Sequence, residues 1–177
     1  SELLRITAEL MAARTAAAAI REDDDPARAI DAALAAFYDA VAGVMPSVFV
    51  LEHGRQWLVA QRGYAVVPDG LTVDSGITGR AIRRGRAQLV PDVKLDPDYV
   101  PALPGVVAEL AVPLRSSRAI VGVLNVEAER TLPDRAAEAM QPLARALTPL
   151  AEALRASRTM DLAGLARLFV DGGHGDQ

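Results

Sequence analysis

Two stretches of strand-forming residues, each doubled back through a short turn, occupy the middle of a chain whose two ends are helical. In the first, Ser47-Val48-Phe49-Val50-Leu51 leads through His53-Gly54 into Gln56-Trp57-Leu58-Val59-Ala60. In the second, Val106 to Leu114 turns at Arg115-Ser116-Ser117 into Arg118 to Glu127. Strands joined by hairpins run antiparallel, so the centre of the chain reads as an antiparallel sheet. Between the hairpins lie a loop marked by Gly63 and Pro68-Asp69-Gly70, and a short helix from about Ile77 to Arg84, ended by Gly85. A short strand from Ala87 to Val90 and a polar loop from Lys94 to Pro104 follow.

The flanks change period. Leu3, Ile6, Leu10, Ala13, Ala17 and Ile20 recur at helical spacing, and so do Met140, Leu143, Leu147, Leu150 and Leu154. Both rows have the heptad form of a two-helix seam. Each is compatible with packing inside the domain or with a dimer contact. A second helix runs from about Pro26 to Ala42, with Ile30, Leu34, Phe37, Tyr38 and Val41 on its apolar face. Asp23, Asp24 and Asp25 read as its N-cap and charge complement rather than a metal site, since adjacent carboxylates lack the spacing of a Ca²⁺ loop. Pro142 and Pro149 predict a kink or restart in the last long helix. Asp161 to Val170 reads as a final helix with Leu162, Leu165 and Phe169 inside, and Asp171 to Gln177 as a frayed tail.

Helices from both ends must then cover one face of the sheet, leaving the short helix and the long loop for the other. A sheet packed on one face and roofed by loops on the other suits a small-ligand pocket. The fold class is α+β.

Composition removes many alternatives. The chain has 177 residues and no cysteine, which excludes disulfides, thiol nucleophiles, Cys-based zinc sites and thioether-linked pigments. A balance of 19 basic and 23 acidic residues, net −4, argues against nucleic acid as a partner. The longest uncharged stretch, Ala40 to Leu51, falls well short of the roughly 20 apolar residues of a membrane span. Glu2, Arg5 and Glu9 interrupt any signal-peptide core, so the expected location is cytoplasmic. The chain begins at Ser1 without a Met and is expected to be a piece of a longer protein.

Four segments together resemble the GAF domain, a family of small-molecule sensory modules. Gly76-Ile77-Thr78-Gly79-Arg80-Ala81 resembles the family's entry to its middle helix. Pro91-Asp92-Val93 with Asp96-Pro97-Asp98-Tyr99 resembles its Asp-Val … Asp-Pro-x-Tyr loop. Glu109-Leu110-Ala111-Val112-Pro113-Leu114 and Ile120-Val121-Gly122-Val123-Leu124-Asn125-Val126-Glu127 resemble the two strands that follow. The likeness extends more weakly over residues 26–156.

The resemblance implies a central antiparallel sheet of five or six strands, terminal helices on one face and a ligand pocket on the other. It implies a bacterial signalling protein in which residues 1–25 form an N-terminal helix and possible dimer seam. Residues 26–156 would form the sensor, its last helix extending toward an output domain, and residues 157–177 a C-terminal helix and flexible tail. Free methionine sulfoxide reductases, an enzyme group of the family, place acidic pocket residues where Glu109, Asn125 and Glu127 stand here, and a cysteine where Thr78 stands. With no cysteine, a thiol redox cycle is impossible in this chain. Non-thiol hydrolysis through Glu109 or Glu127 is set aside for want of a second group to tune either, so the expectation is a domain that is not an enzyme.

The expected pocket residues are Phe49, Ile77, Thr78, Asp92, Tyr99, Glu109, Ala111, Asn125 and Glu127. Asn125 and Glu127 share one strand face, and Glu109 and Ala111 another. The competing reading of Glu109 and Glu127 is that they are solvated strand-end charges. The ligand's identity stays open. A covalent bilin needs a cysteine, the cyclic-nucleotide Asn-Lys-x-Phe-Asp-Glu pattern is missing, and His53 and His174 read as surface histidines rather than haem ligands. Arg80, Arg83, Arg84 and Arg86 read as a solvated helix face, since 18 of the 19 basic residues are Arg and clusters arise readily. The expected partners are an unidentified small molecule, a second copy of the chain and an output domain. The alternative is a structural dimerisation domain with a vestigial, ligand-free pocket.

Overall fold

The computed structural model describes residues 2–21 and 25–171, with the backbone path alone from residue 158 onward. Helix α1 spans Glu2–Ala18 and α2 Pro26–Ala40. Strands β1 (Val44–Glu52), β2 (Arg55–Gln61) and β3 (Leu71–Thr72) follow. Next come α3 (Gly76–Arg84), β4 (Gln88–Val90) and a 3-10 turn at Val93–Leu95. Strands β5 (Ala108–Arg115) and β6 (Ile120–Ala128) lead into α4 (Ala136–Asp171). Six strands form one antiparallel sheet in the order β3-β2-β1-β6-β5-β4. This is the expected α+β layout. The two-residue β3 lies outside the strands predicted from the sequence, because nothing so short carries a periodic signal.

Side chains alternate across the sheet with period two. Val48, Val50, Leu110, Val112, Leu124 and Val126 face the helices and join Phe37, Leu34, Leu143 and Leu147 in the main core. Phe49, Ala111 and Val123 face the other way, into a second apolar cluster with Ile77, Ala81 and Val93. Helices α2 and α4 lie on the sheet, while α1 packs mainly on α4 and α2 as an outer layer. Glu9, buried on α1, pairs with Arg130 at 3.0 Å, and the Arg130 Nε donates to the Ala42 carbonyl at 3.1 Å.

Local signals behave as their chemistry requires. The Asp25 carboxylate accepts from the Arg28 N–H at 3.0 Å, with Pro26 in the first turn of α2. Asp23 and Asp24 lie outside the described residues. His53 and Gly54 both have positive φ, as a two-residue type I′ hairpin turn needs. A Cβ on Gly122 would stand 2.4 Å from the Phe49 carbonyl oxygen, so the glycine permits the close approach of strand β1. Strand β4 ends opposite Ala111, which leaves Pro113 with a partner strand on the β6 side only.

The last helix departs from expectation. Pro142 and Pro149 sit inside α4, which runs on without a break through the segment predicted as a separate helix. Each proline costs a helix about 3 kcal/mol. Met140, Leu143, Ala144, Leu147 and Ala151 are buried along the same stretch, and that packing outweighs the loss. The side chains of Leu162, Leu165 and Phe169, and residues 172–177 with His174, lie outside the described part. The α4 heptad row is thus taken up by the chain's own core. On α1, Ile6, Leu10 and Ala17 are half-buried and Ala13 is buried, whereas Leu3 is exposed; Ile20, half-buried, lies beyond the helix end. Among the described residues, no helix is long and apolar enough to cross a membrane.

Candidate functional site

The face of the sheet turned away from the helices carries a polar cluster among apolar neighbours. Glu109 on β5 and Glu127 on β6 are directly opposed in the ladder. One pair along, Asn125 stands between Ala111 on β5 and Ser47 on β1. Glu109 is 5% exposed, Glu127 3% and Asn125 6%. They are not solvated strand-end charges. Opposed like charges weaken a sheet, and burial raises the cost.

Three segments roof this face. The loop after β2 brings Tyr64, whose hydroxyl donates to the Met45 carbonyl at 3.1 Å. The first turn of α3 brings Ile77 and Thr78, both buried. The loop between the 3-10 turn and β5 brings Tyr99, Val100 and Ala102. Arg80 fastens that loop to α3. Its guanidinium holds both oxygens of Asp96, at 2.9 and 2.7 Å, and an oxygen of Asp98 at 3.0 Å. Only 14% of the Arg80 side chain is exposed, so it is not part of a solvated face; Arg83, Arg84 and Arg86 are. The pocket that the three segments line opens to solvent on one side and holds about 40 Å³. At roughly 10–15 Å³ per water, that is room for about three waters or one small polar group.

Electrostatics follow from burial without a counter-charge. Desolvation, then the Glu127 charge, pushes the Glu109 carboxyl up to about 8, against a hydrogen bond from Asn125. Burial also raises Glu127, partly offset by the nearby hydroxyls of Tyr64 and Tyr99. Both tyrosine hydroxyls are held protonated by burial and by the Glu127 charge. Arg80 lowers the Glu109 value only slightly; its two terminal nitrogens are held by Asp96 and Asp98, and its buried Nε has no hydrogen-bond partner. Ionisation of one carboxyl therefore opposes ionisation of the other. The Asn125 Oδ1 is buried and has no hydrogen-bond partner. The cavity can receive hydrogen-bond donors. A carboxyl with a raised pKa beside a carboxylate can also give and take a proton.

Of the nine residues expected from the sequence, Phe49, Ile77, Thr78, Glu109, Asn125 and Glu127 line the cavity. Tyr99 is half-buried against the same apolar cluster, on the roof loop. Ala111 is wholly buried in the same cluster as part of the floor. Asp92 is elsewhere: it is exposed, and its carboxylate caps the 3-10 turn by accepting from the Lys94 N–H at 3.0 Å. Ser47, Tyr64, Val100 and Ala102 line the cavity and were not foreseen. Ser47 shares a strand face with Phe49, so its place was readable from period two. Tyr64 and Val100 arrive on loops, where no period exists.

A sequence model of the GAF domain matches residues 1–149. No curated protein matches the chain in sequence. Among solved structures, the GAF domain of a phosphoenolpyruvate-protein phosphotransferase from Coxiella burnetii superposes with TM-score 0.74 at 18% identity, over 87% of this chain and 98% of that one. The free methionine-R-sulfoxide reductase of Neisseria meningitidis, in complex with its substrate, gives TM-score 0.72 at 21% identity, over 86% and 91%. The type II enzyme of Thermoplasma acidophilum gives 0.67 at 22%, over 71% and 92%. Identities this low show a shared fold. They also correct one expectation. Enzymes stand among the structural neighbours, so this fold carries catalysis and the reading of the chain as a non-enzyme does not hold. The missing cysteines remove thiol chemistry alone.

Proposed function

The chain belongs to the GAF domain family, and from that premise we propose that it is a cytoplasmic sensory domain whose cavity takes a small molecule. The GAF fold supports a regulatory or sensory role. One observation carries the ligand reading: three buried acceptor groups, Glu109, Glu127 and the unpartnered Asn125 Oδ1, surround a cavity with no cationic side chain of its own. Unpaired buried acceptors are costly, and a bound donor removes that cost.

In this proposal the signal leaves through α1 and α4 to an output domain, with a second copy docked on the outer face of α1. Leu3, Leu4 and Met11 are exposed there, beside half-buried Ile6 and Leu10. Occupancy shifts the dimer or its output only if the ligand prefers one arrangement of the roof and helices.

A second reading is a structural dimerisation domain with a vestigial pocket. It is favoured by the small cavity and by Phe49, Tyr99 and Leu103 packing in one apolar cluster. Native mass spectrometry with a denatured control separates the two. A dimer carrying extra small-molecule mass supports the sensor. A dimer at bare mass, with no thermal shift across a broad metabolite panel, supports the structural reading. A bare monomer tells against the dimer in either.

A further inference from the structure

Away from the cavity, the end of the molecule where α3 meets the β5–β6 hairpin has a charge of its own. Gly85 closes α3 in the left-handed conformation and turns the chain toward β4. Three arginines meet around it. Arg84 and Arg86 flank it in sequence, and Arg115 reaches over from the end of β5, its Nη2 donating to the Gly85 carbonyl at 2.9 Å. Arg118 stands in the hairpin turn just beyond, where its N–H donates to the Ser116 Oγ at 3.3 Å. All four side chains are exposed. Neutral groups hold this arrangement. The Arg84 Nη1 donates to the Gln88 Oε1 at 3.1 Å, and the Gln88 Nε2 donates in turn to the Arg86 carbonyl at 3.1 Å. Among the described residues, none of the four arginines forms an ion pair. The two segments that build this end contain no acidic residue, from Ser75 to Pro91 and from Leu110 to Val126. A basic residue in the last turn of a helix complements the helix dipole, which accounts for Arg84. It does not account for Arg86, Arg115 and Arg118, which lie outside the helix.

We propose that this end of the domain docks an acidic segment of a protein partner, a stretch whose Asp or Glu carboxylates occupy the guanidinium forks of Arg84, Arg86, Arg115 and Arg118. The planar fork matches a carboxylate with two parallel hydrogen bonds. One exposed pair contributes only about 0–1 kcal/mol, so a lone carboxylate gains little here. Several carboxylates on one chain act together, because the first contact raises the local concentration of the next. The charge balance favours a short acidic segment over a nucleic acid. The whole chain carries −4 although these four arginines contribute +4, so the remainder carries −8 and repels a polyanion that extends past the patch. A bilayer is disfavoured too, since the exposed large apolar side chains all lie on other segments and none is here to insert.

The test uses the full chain and a fluorescein-labelled hexaglutamate peptide, followed by fluorescence anisotropy. Saturable binding is expected at low salt, falling severalfold between about 20 and about 150 mM sodium chloride. Arg84→Gln, Arg86→Gln and Arg118→Gln together should weaken it about tenfold, at about 0.5 kcal/mol per lost pair. Arg115 is kept because it also ties β5 to Gly85. The three replaced side chains are exposed, so the melting temperature should hold within a few degrees. The control removes the same charge elsewhere. Arg5→Gln, Arg14→Gln and Arg145→Gln, exposed on α1 and α4, should leave the affinity within about twofold. An equal loss in the control overturns the patch as the site. No binding at low salt overturns the docking surface. Tighter binding of a short labelled DNA duplex, or of phosphatidylserine vesicles, that is lost in the patch variant overturns the acidic segment as partner. None of these outcomes depends on whether the cavity holds a ligand.

Discussion

Arg80 and Asp96 form a two-pronged ion pair, at 2.9 and 2.7 Å, that joins the middle helix to the loop closing the cavity. It is the fixed point of the roof. The same loop supplies Tyr99 and Val100, and the same helix supplies Ile77 and Thr78. Any ligand that must fit wholly beneath the roof, beyond about 40 Å³, needs this roof to move.

Arg80→Ala should free the loop and leave Asp96 without its partner. The expected loss is about 2–4 kcal/mol in urea unfolding, a little below the roughly 3–5 kcal/mol for a fully buried pair because Asp98 is part-exposed. Proteolysis within residues 96–105 should speed up. The pair also has a pH signature. Arg80 holds the Asp96 carboxyl below its ordinary value, so this contribution is present above the unfolded-state value near 3.8 and is lost as pH falls through the folded one. The variant should lack that acid-side loss.

Glu109→Gln should flatten the opposite limb. The folded pKa of Glu109 is raised from 4.5 to about 8. The folded state therefore binds more protons than the unfolded chain between these values. This group's contribution is fully present below about pH 4.5 and lost as pH rises through about 8. The loss is at most on the order of 5 kcal/mol, shared with Glu127. Glutamine mimics the protonated acid, so the variant should match the parent near pH 5 and exceed it near pH 9. A parallel decline of both in thermal melts would refute the carboxyl as the cause.

Gly122→Ala tests the close approach of the central strands. The new Cβ would lie 2.4 Å from a backbone oxygen, which cannot yield as a flexible side chain can. A loss of about 1–3 kcal/mol is expected, with the fold retained. Alanine at Gly54, whose Cβ would meet nothing, should cost only the strain of its positive φ and serves as the control.

Glu9→Ala tests how α1 is held. It leaves Arg130 half-buried without its carboxylate. Amide exchange in α1 should rise well above that in β1 and β6, with a stability loss of about 2–3 kcal/mol.

Leu4→Glu with Met11→Glu tests the outer face of α1. Both residues are exposed, so the melting temperature of the domain itself should hold within a few degrees. A dimer that persists unchanged in the native mass spectrum would rule this face out as the contact.

Much of the site was legible because its residues lie on regular strands. Period two alone puts Phe49 beside Ser47, Glu109 beside Ala111, and Asn125 beside Glu127. The α2 cap, the His53-Gly54 turn and the Gly85 helix end were readable too, because each acts over a few bonds. Asp92 belonged to a motif that resembles the family's loop, but its carboxylate closes a local turn and does not reach the cavity.

The sequence by itself determined the order of the elements, the antiparallel pairing within each hairpin and which side chains share a face. These follow from backbone sterics and spacing, which are properties of neighbours in the chain. Tertiary structure decided that Glu109 meets Glu127, that Arg80 is drawn inward by Asp96 and Asp98, and that α4 continues through two prolines. It also decided that Tyr64 and Val100 close the cavity down to a small volume. Burial and charge are set by whatever the rest of the chain places opposite a residue. Their energies of several kcal/mol per group exceed the local preferences from which a sequence is read.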